Sequence, residues 1–81
     1  MNLPIKLASL RKQNGLTQLE LAEKLNVSRQ AISRWEVGTA VPSTDNLRVL
    51  SNLYGVSVDY LLNDNADDSY KNSENLEQKP E

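Results

Sequence analysis

The chain has 81 residues, a formal net charge of −2, and neither cysteine nor histidine. That length suits one small domain, and the two missing residue types exclude a disulfide framework, a cysteine or histidine metal site and the commonest general base. No apolar run approaches the ~20 residues of a membrane span, and no apolar stretch follows a basic patch at the N-terminus, so the expectation is a cytoplasmic protein that needs no cofactor or metal and meets no membrane.

Helical periodicity runs through the first three quarters of the sequence, punctuated by glycine. Pro4 suits a first helical turn, and Leu3, Leu7 and Leu10 then recur on one face until Gly15. Asn14-Gly15 is not read as a hairpin, because its flanks show no period of two. Thr17 and Glu20 have the spacing of a capping box, which opens a second helix with the apolar stripe Leu21, Ala22 and Leu25. Ser28 caps a third helix, from about Ser28 to Val37, with Ala31, Ile32 and Trp35 facing inward and Gly38 as its stop. Val41-Pro42-Ser43 is a connection. Ser43 caps a fourth helix striped by Leu47, Leu50, Leu53 and Tyr54, which ends at Gly55. Ser57 caps a last short helix with Val58, Leu61 and Leu62. Five short helices with brief connections and no strand predict a compact all-α bundle.

From about Asn63 the pattern stops. Residues 64–81 hold six acids and two bases, with Ala66, Tyr70 and Leu76 as the only apolar residues. Such a stretch buries too little surface to offset chain entropy, so a helical domain over 1–63 is expected to carry a disordered acidic tail over 64–81. The tail reads either as a solvated end or as a linker towards a further domain or partner. Residues 1–63 hold seven bases and five acids, a mildly basic balance. That is far from the strongly basic composition of an unspecific nucleic-acid binder, so any affinity for DNA must come from well-placed contacts.

The second and third helices, joined only by Asn26-Val27, form the unit that suggests a function. Two helices with so short a link cross steeply, and Ala22 is small where they would approach. With ~100° per residue and Arg29 at zero, Arg29, Gln30, Ser33, Arg34 and Val37 fall within roughly 0–140°, while Ala31, Ile32 and Trp35 fall at roughly 200–300°. The apolar face can anchor the helix, and the other face offers two guanidinium groups and an amide without any acid. Arginine can take guanine O6 and N7 together, and glutamine can do the same for adenine N6 and N7. Such a face is also what any solvated helix presents, so the helix alone decides little. Arg29, Gln30, Ser33 and Arg34 are the candidate base contacts. Thr17 and Gln18 open the second helix, and Ser43 and Asn46 the fourth, where unpaired amides and polar side chains suit a phosphate.

Together these residues resemble the phage-repressor-like, or Xre/Cro-type, helix-turn-helix family. The resemblance spans about Ile5 to Leu62. It is carried by Arg11, Gly15, Leu16-Thr17-Gln18, Leu21-Ala22, Leu25, Val27-Ser28, Ile32, Trp35-Glu36, Gly38, Pro42, Leu47, Leu50 and the run from Gly55 to Leu62. It implies a five-helix lambda-repressor-like domain whose third helix enters the major groove. It further implies that Ser28, Arg29, Gln30 and Arg34 face DNA, that Gln18 meets a phosphate, and that Arg11 and Glu36 form an ion pair. One departure is the loop Thr39-Ala40-Val41, where relatives often carry a basic or amide residue.

The implied function is a transcriptional regulator, a repressor on a short operator, acting on double-stranded DNA as a homodimer on a two-fold site. An alternative is a protein-binding domain of antitoxin or anti-repressor type with weak DNA affinity. An enzyme is not expected, since Glu20 and Glu23 have the spacing of an ordinary solvated pair. A dimer surface could lie between the fourth and fifth helices if Val58 and Leu62 are exposed; core packing of both is the other reading.

Overall fold

Every helix starts at a side-chain cap. Asn2, Thr17, Ser28, Ser43 and Ser57 lie in extended backbone, and each side chain accepts the amide hydrogen of the residue three further on. These caps satisfy one of the amides that a helix start leaves unpaired. The resulting elements are α1 (Leu3–Gln13), α2 (Gln18–Leu25), α3 (Arg29–Val37), α4 (Thr44–Tyr54) and α5 (Val58–Leu62). The structure, a computed structural model, describes residues 2–63. Among these there is no strand, and no helix is long and apolar enough to cross a membrane. The expectation for 64–81 lies outside the described residues.

The helix ends share one device. After α1, α3 and α4 a glycine takes a positive φ, and the following amide bonds back to a carbonyl in the last turn: Leu16 to Arg11, Thr39 to Arg34 and Val56 to Ser51. This is the Schellman pattern, which uses up carbonyls that would otherwise lack partners. Gly38 has a second constraint. Its φ is +90°, and a Cβ there would sit 3.3 Å from Cγ of Pro4, so the end of α3 lies directly against the start of α1.

The core draws on all five helices. Leu7 and Leu10 meet Leu21, Ala22, Leu25, Ile32, Trp35, Leu47, Leu50, Tyr60 and Leu61, all buried. Each fully buried aliphatic of this size contributes about 1.5–3 kcal/mol relative to exposure. α3 packs against both α1 and α2, which fixes it from two sides. Two expected core residues differ. Leu53 is exposed, because it lies roughly 90° round α4 from the stripe of Leu47, Leu50 and Tyr54. Leu62 is also exposed, and the buried position is taken by its neighbour Leu61. Val58 packs against the core, so of the two residues considered for a dimer surface only Leu62 faces outward.

One charged residue lies inside. Lys6 is 1% exposed. Its ammonium donates to the carbonyls of Tyr60 and Asn63, the latter at 2.7 Å, and stands 4.5 Å from the Tyr60 ring centroid. α1 is thereby tied to the carbonyl end of the last helix, where the helix dipole favours a cation.

Candidate nucleic-acid interface

The turn between α2 and α3 is made by two residues. Asn26 adopts φ 58°, the one positive φ outside glycine among the described residues. Its amide bonds to Glu23 O, and the amide of Val27 bonds to Ala22 O at 3.0 Å. This is the same Schellman ending, with asparagine in the left-handed position that it tolerates better than most residues. Ser28 then caps α3 at once. Ala22, 1% exposed, lets the two helices come close.

The turn leaves one face of α3 outward. Ile32 and Trp35 are buried below it, Ala31 and Ser33 are half-buried, and Arg29, Gln30, Arg34 and Val37 are exposed. The first turn of α3 carries no acid. The structure therefore groups the candidate base contacts Arg29, Gln30 and Arg34 on one accessible surface, with Ser33 between them and partly covered.

Glu36, on the edge of that helix, is turned away from the surface and into an ion pair. Arg11 Nε donates to its Oε2 at 2.7 Å and Arg11 Nη2 to its Oε1 at 3.0 Å, while Arg11 Nη1 donates to the carbonyl of Leu16 at 2.8 Å. The two side chains are only 11% and 7% exposed. The hydrogen bond that Arg11 donates to Glu36 raises the Arg11 pKa, desolvation opposes it, and the charge of Glu36 adds to it. Nearby, burial and then the charge of Glu36 push the Tyr54 hydroxyl up to about 12. That hydroxyl is buried without a hydrogen-bond partner among the described residues.

Gln18, the first residue of α2, lies against the outward face. Its Nε2 donates to Glu36 Oε1 at 3.1 Å, and its Oε1 accepts from Arg29 Nη1 at 3.3 Å. Sequence reasoning missed this link. Arg29 and Glu36 lie two turns apart on one side of α3, but Gln18 belongs to α2, and only the crossing of the two helices brings it between them. The other polar candidates are partly committed. Thr17 uses its hydroxyl on the Glu20 amide, and Glu20 returns a bond to the Thr17 amide at 2.8 Å. At the start of α2, the amides of Gln18 and Leu19 make no hydrogen bond among the described residues. Ser28 and Ser43 likewise accept the Ala31 and Asn46 amides, and both residues are exposed. Asn46 is half-buried, and Asp45 beside it places an acid in the first turn of α4.

Comparison with known proteins gives a consistent picture. A helix-turn-helix family model matches residues 7–61. The HTH-type transcriptional regulator ImmR of Bacillus subtilis is 48% identical over 62 residues, which are 76% of this chain and 49% of that protein. The HTH-type transcriptional activator BcrR of Enterococcus faecalis is 47% identical over 57 residues, which are 70% of this chain and 28% of that one. The chain thus spans half or less of the length of these relatives. Among solved structures, the P22 c2 repressor in complex with synthetic operator 9T superposes with a TM-score of 0.74 at 33% identity, covering 83% of this chain and 98% of that one.

Proposed function

The chain belongs to the Xre-type helix-turn-helix family of DNA-binding transcriptional regulators, and we propose that it is a repressor that inserts α3 into the major groove of a short operator, as a homodimer on a two-fold site. The observation that carries this reading is the outward, acid-free face of α3, with Arg29, Gln30 and Arg34 exposed above a buried Ile32 and Trp35. A major groove about 12 Å wide admits such a helix. The P22 c2 repressor, similar over 83% of this chain, is solved with its operator.

Arg29 and Gln30 lie at the N-terminal end of α3, from which side chains reach base edges best, and Ser33 and Arg34 lie one turn on. Phosphates would be held by the open amides of Gln18 and Leu19 and by the exposed Thr17 and Ser28. The start of α4, with Ser43 and Asn46, is the second phosphate site. Residues 1–63 form the DNA-binding domain. The dimer surface would use the exposed Leu53 and Leu62 on α4 and α5. The relatives' names include a regulator and an activator, so the direction of regulation needs its own assay.

The test is selection from random duplexes at low salt, followed by sequencing. The expected product is a symmetric motif with half-sites ~34 Å apart. Arg29→Ala and Gln30→Ala should each weaken binding by ~1–3 kcal/mol and relax one position per half-site. A folded protein that enriches no motif would overturn the DNA reading and favour a protein partner. A reporter with the selected site across its promoter should fall in output when the protein is supplied; a rise would make the protein an activator.

A further inference from the structure

We propose that Glu36 is a positioning residue for base reading: its carboxylate fixes the side-chain amide of Gln18, and Gln18 in turn aims the guanidinium of Arg29. The inference rests on the reading that α3 contacts base edges. Four side chains stand in series. Arg11 grips Glu36 through both carboxylate oxygens at 2.7 and 3.0 Å, Gln18 Nε2 donates to Glu36 at 3.1 Å, and Arg29 Nη1 donates to Gln18 Oε1 at 3.3 Å.

The chemistry of the groups makes the series directional. A carboxylate only accepts and a guanidinium only donates, whereas an amide does one with each end. A single orientation of the Gln18 amide therefore serves both neighbours, nitrogen to Glu36 and oxygen to Arg29. Glu36 is a firm base for it, since its two-point bond to Arg11 is nearly buried. Arg29 is exposed and would otherwise be spread over many rotamers. Held at Nη1, it keeps its remaining donors for a base, and it loses less freedom when it binds. Gln30 and Arg34 make no side-chain hydrogen bond among the described residues, so the device acts on one reading residue only.

The experiment repeats the duplex selection with the parent, Arg29→Ala, Gln18→Met and Glu36→Gln. Arg29→Ala identifies the operator position that Arg29 reads. Gln18→Met keeps the Arg11–Glu36 pair and cuts the series. Glu36→Gln puts an amide where a carboxylate was, so the Gln18 amide is no longer held one way. Both should reduce base preference at the Arg29 position by about 5-fold or more, and leave the positions read by Gln30 and Arg34 unchanged. Loss of a phosphate contact by Gln18 would instead weaken binding uniformly across sequences. Uniform weakening, or full preference retained at the Arg29 position, overturns the proposal, as does an Arg29→Ala profile with no relaxed position. If Glu36→Gln fails to fold, Glu36→Asp, which keeps the charge for Arg11 but draws the carboxylate back from Gln18, takes its place beside Gln18→Met with the same expected outcome. A parent that selects no motif overturns the DNA reading itself, which a failed series with an intact parent motif does not.

Discussion

Replacing Arg11 by alanine removes three hydrogen bonds at once, two to Glu36 and one to the Leu16 carbonyl. The Glu36 carboxylate, 7% exposed in the parent, is left with the Gln18 amide as its side-chain donor among the described residues. Breaking a buried pair by removing one partner costs ~3–5 kcal/mol, because the other charge stays desolvated. A domain of roughly 60 residues has a total stability of about 3–9 kcal/mol, so the loss is of the same size as the whole. In heat the expected fall in Tm is roughly 12–40 °C, at about 4–8 °C per kcal/mol for a chain this short. Urea unfolding followed by far-UV circular dichroism gives the free energy. The double replacement Arg11→Met with Glu36→Leu should recover much of the loss, since both charges go together. Recovery stays incomplete because the Leu16 carbonyl still lacks its donor, a deficit of about 1 kcal/mol. An Arg11→Ala midpoint equal to the parent's would refute the reasoning. So would single-variant losses that add in the double within ~0.5 kcal/mol, which would mean that the two side chains are not coupled.

Three further outcomes can be checked. Lys6→Met removes a buried ammonium that donates to the Tyr60 and Asn63 carbonyls and should destabilise by ~1–3 kcal/mol; hydrogen exchange of the Leu61 and Asn63 amides should accelerate before that of the Ile32 amide. Tyr54→Phe removes a buried hydroxyl without a partner, so its Tm at neutral pH should equal or exceed the parent's. The raised Tyr54 pKa favours the protonated phenol in the folded state, so its contribution is complete below pH 10 and is lost as pH rises towards about 12; the gap in Tm between Tyr54→Phe and the parent should widen over that range, and a constant gap would contradict it. Finally, log K against log salt should have a slope no steeper than about −2 for each bound domain, since Arg29 and Arg34 are assigned to bases and the assigned phosphate contacts are uncharged. A slope twice as steep would bring Lys12, Lys24 or Arg48 onto the phosphates.

The helices were legible because their start and stop signals are local. A serine, threonine or glycine at the right spacing acts on amides and carbonyls a few residues away, which a one-dimensional pattern records. Asn2 as the cap of α1 is absent from the sequence reading although it stands directly before Leu3, because Pro4 by itself already signals a first helical turn. Asn26 was read as part of a short link, but not as the left-handed residue that makes the turn. Lys6 escaped because a lysine between Ile5 and Leu7 looks like a solvated position; its partners are backbone carbonyls 54 and 57 residues away, and backbone acceptors have no sequence signature. The same holds for the candidate interface. The outward face of α3 follows from helical periodicity within nine residues, whereas the contacts of Gln18 depend on how two helices cross. The family resemblance supplied the Arg11–Glu36 pair, which periodicity alone could only make plausible by placing Glu36 beside the apolar arc.

The small charge of the domain and the fine positioning at its surface belong to one design. Of the seven bases in residues 1–63, Lys6 is buried and Arg11 is paired with Glu36, which leaves Lys12, Lys24, Arg29, Arg34 and Arg48 exposed against the exposed acids Glu20, Glu23, Asp45 and Asp59. Five against four is a surface with almost no net field. Unspecific binding to DNA, which comes from charge neutralisation and counterion release, is correspondingly weak for such a domain. Affinity for a true site must then come from short-range contacts, whose strength depends on where a donor sits to within a fraction of an ångström. The quantity that governs occupancy in a genome is the ratio of specific to unspecific binding. A low background improves that ratio only if the few specific contacts are strong, and two arginines and an amide are few. This is why holding Arg29 from behind matters more here than it would in a strongly basic domain, where a loose side chain would be covered by many phosphate contacts.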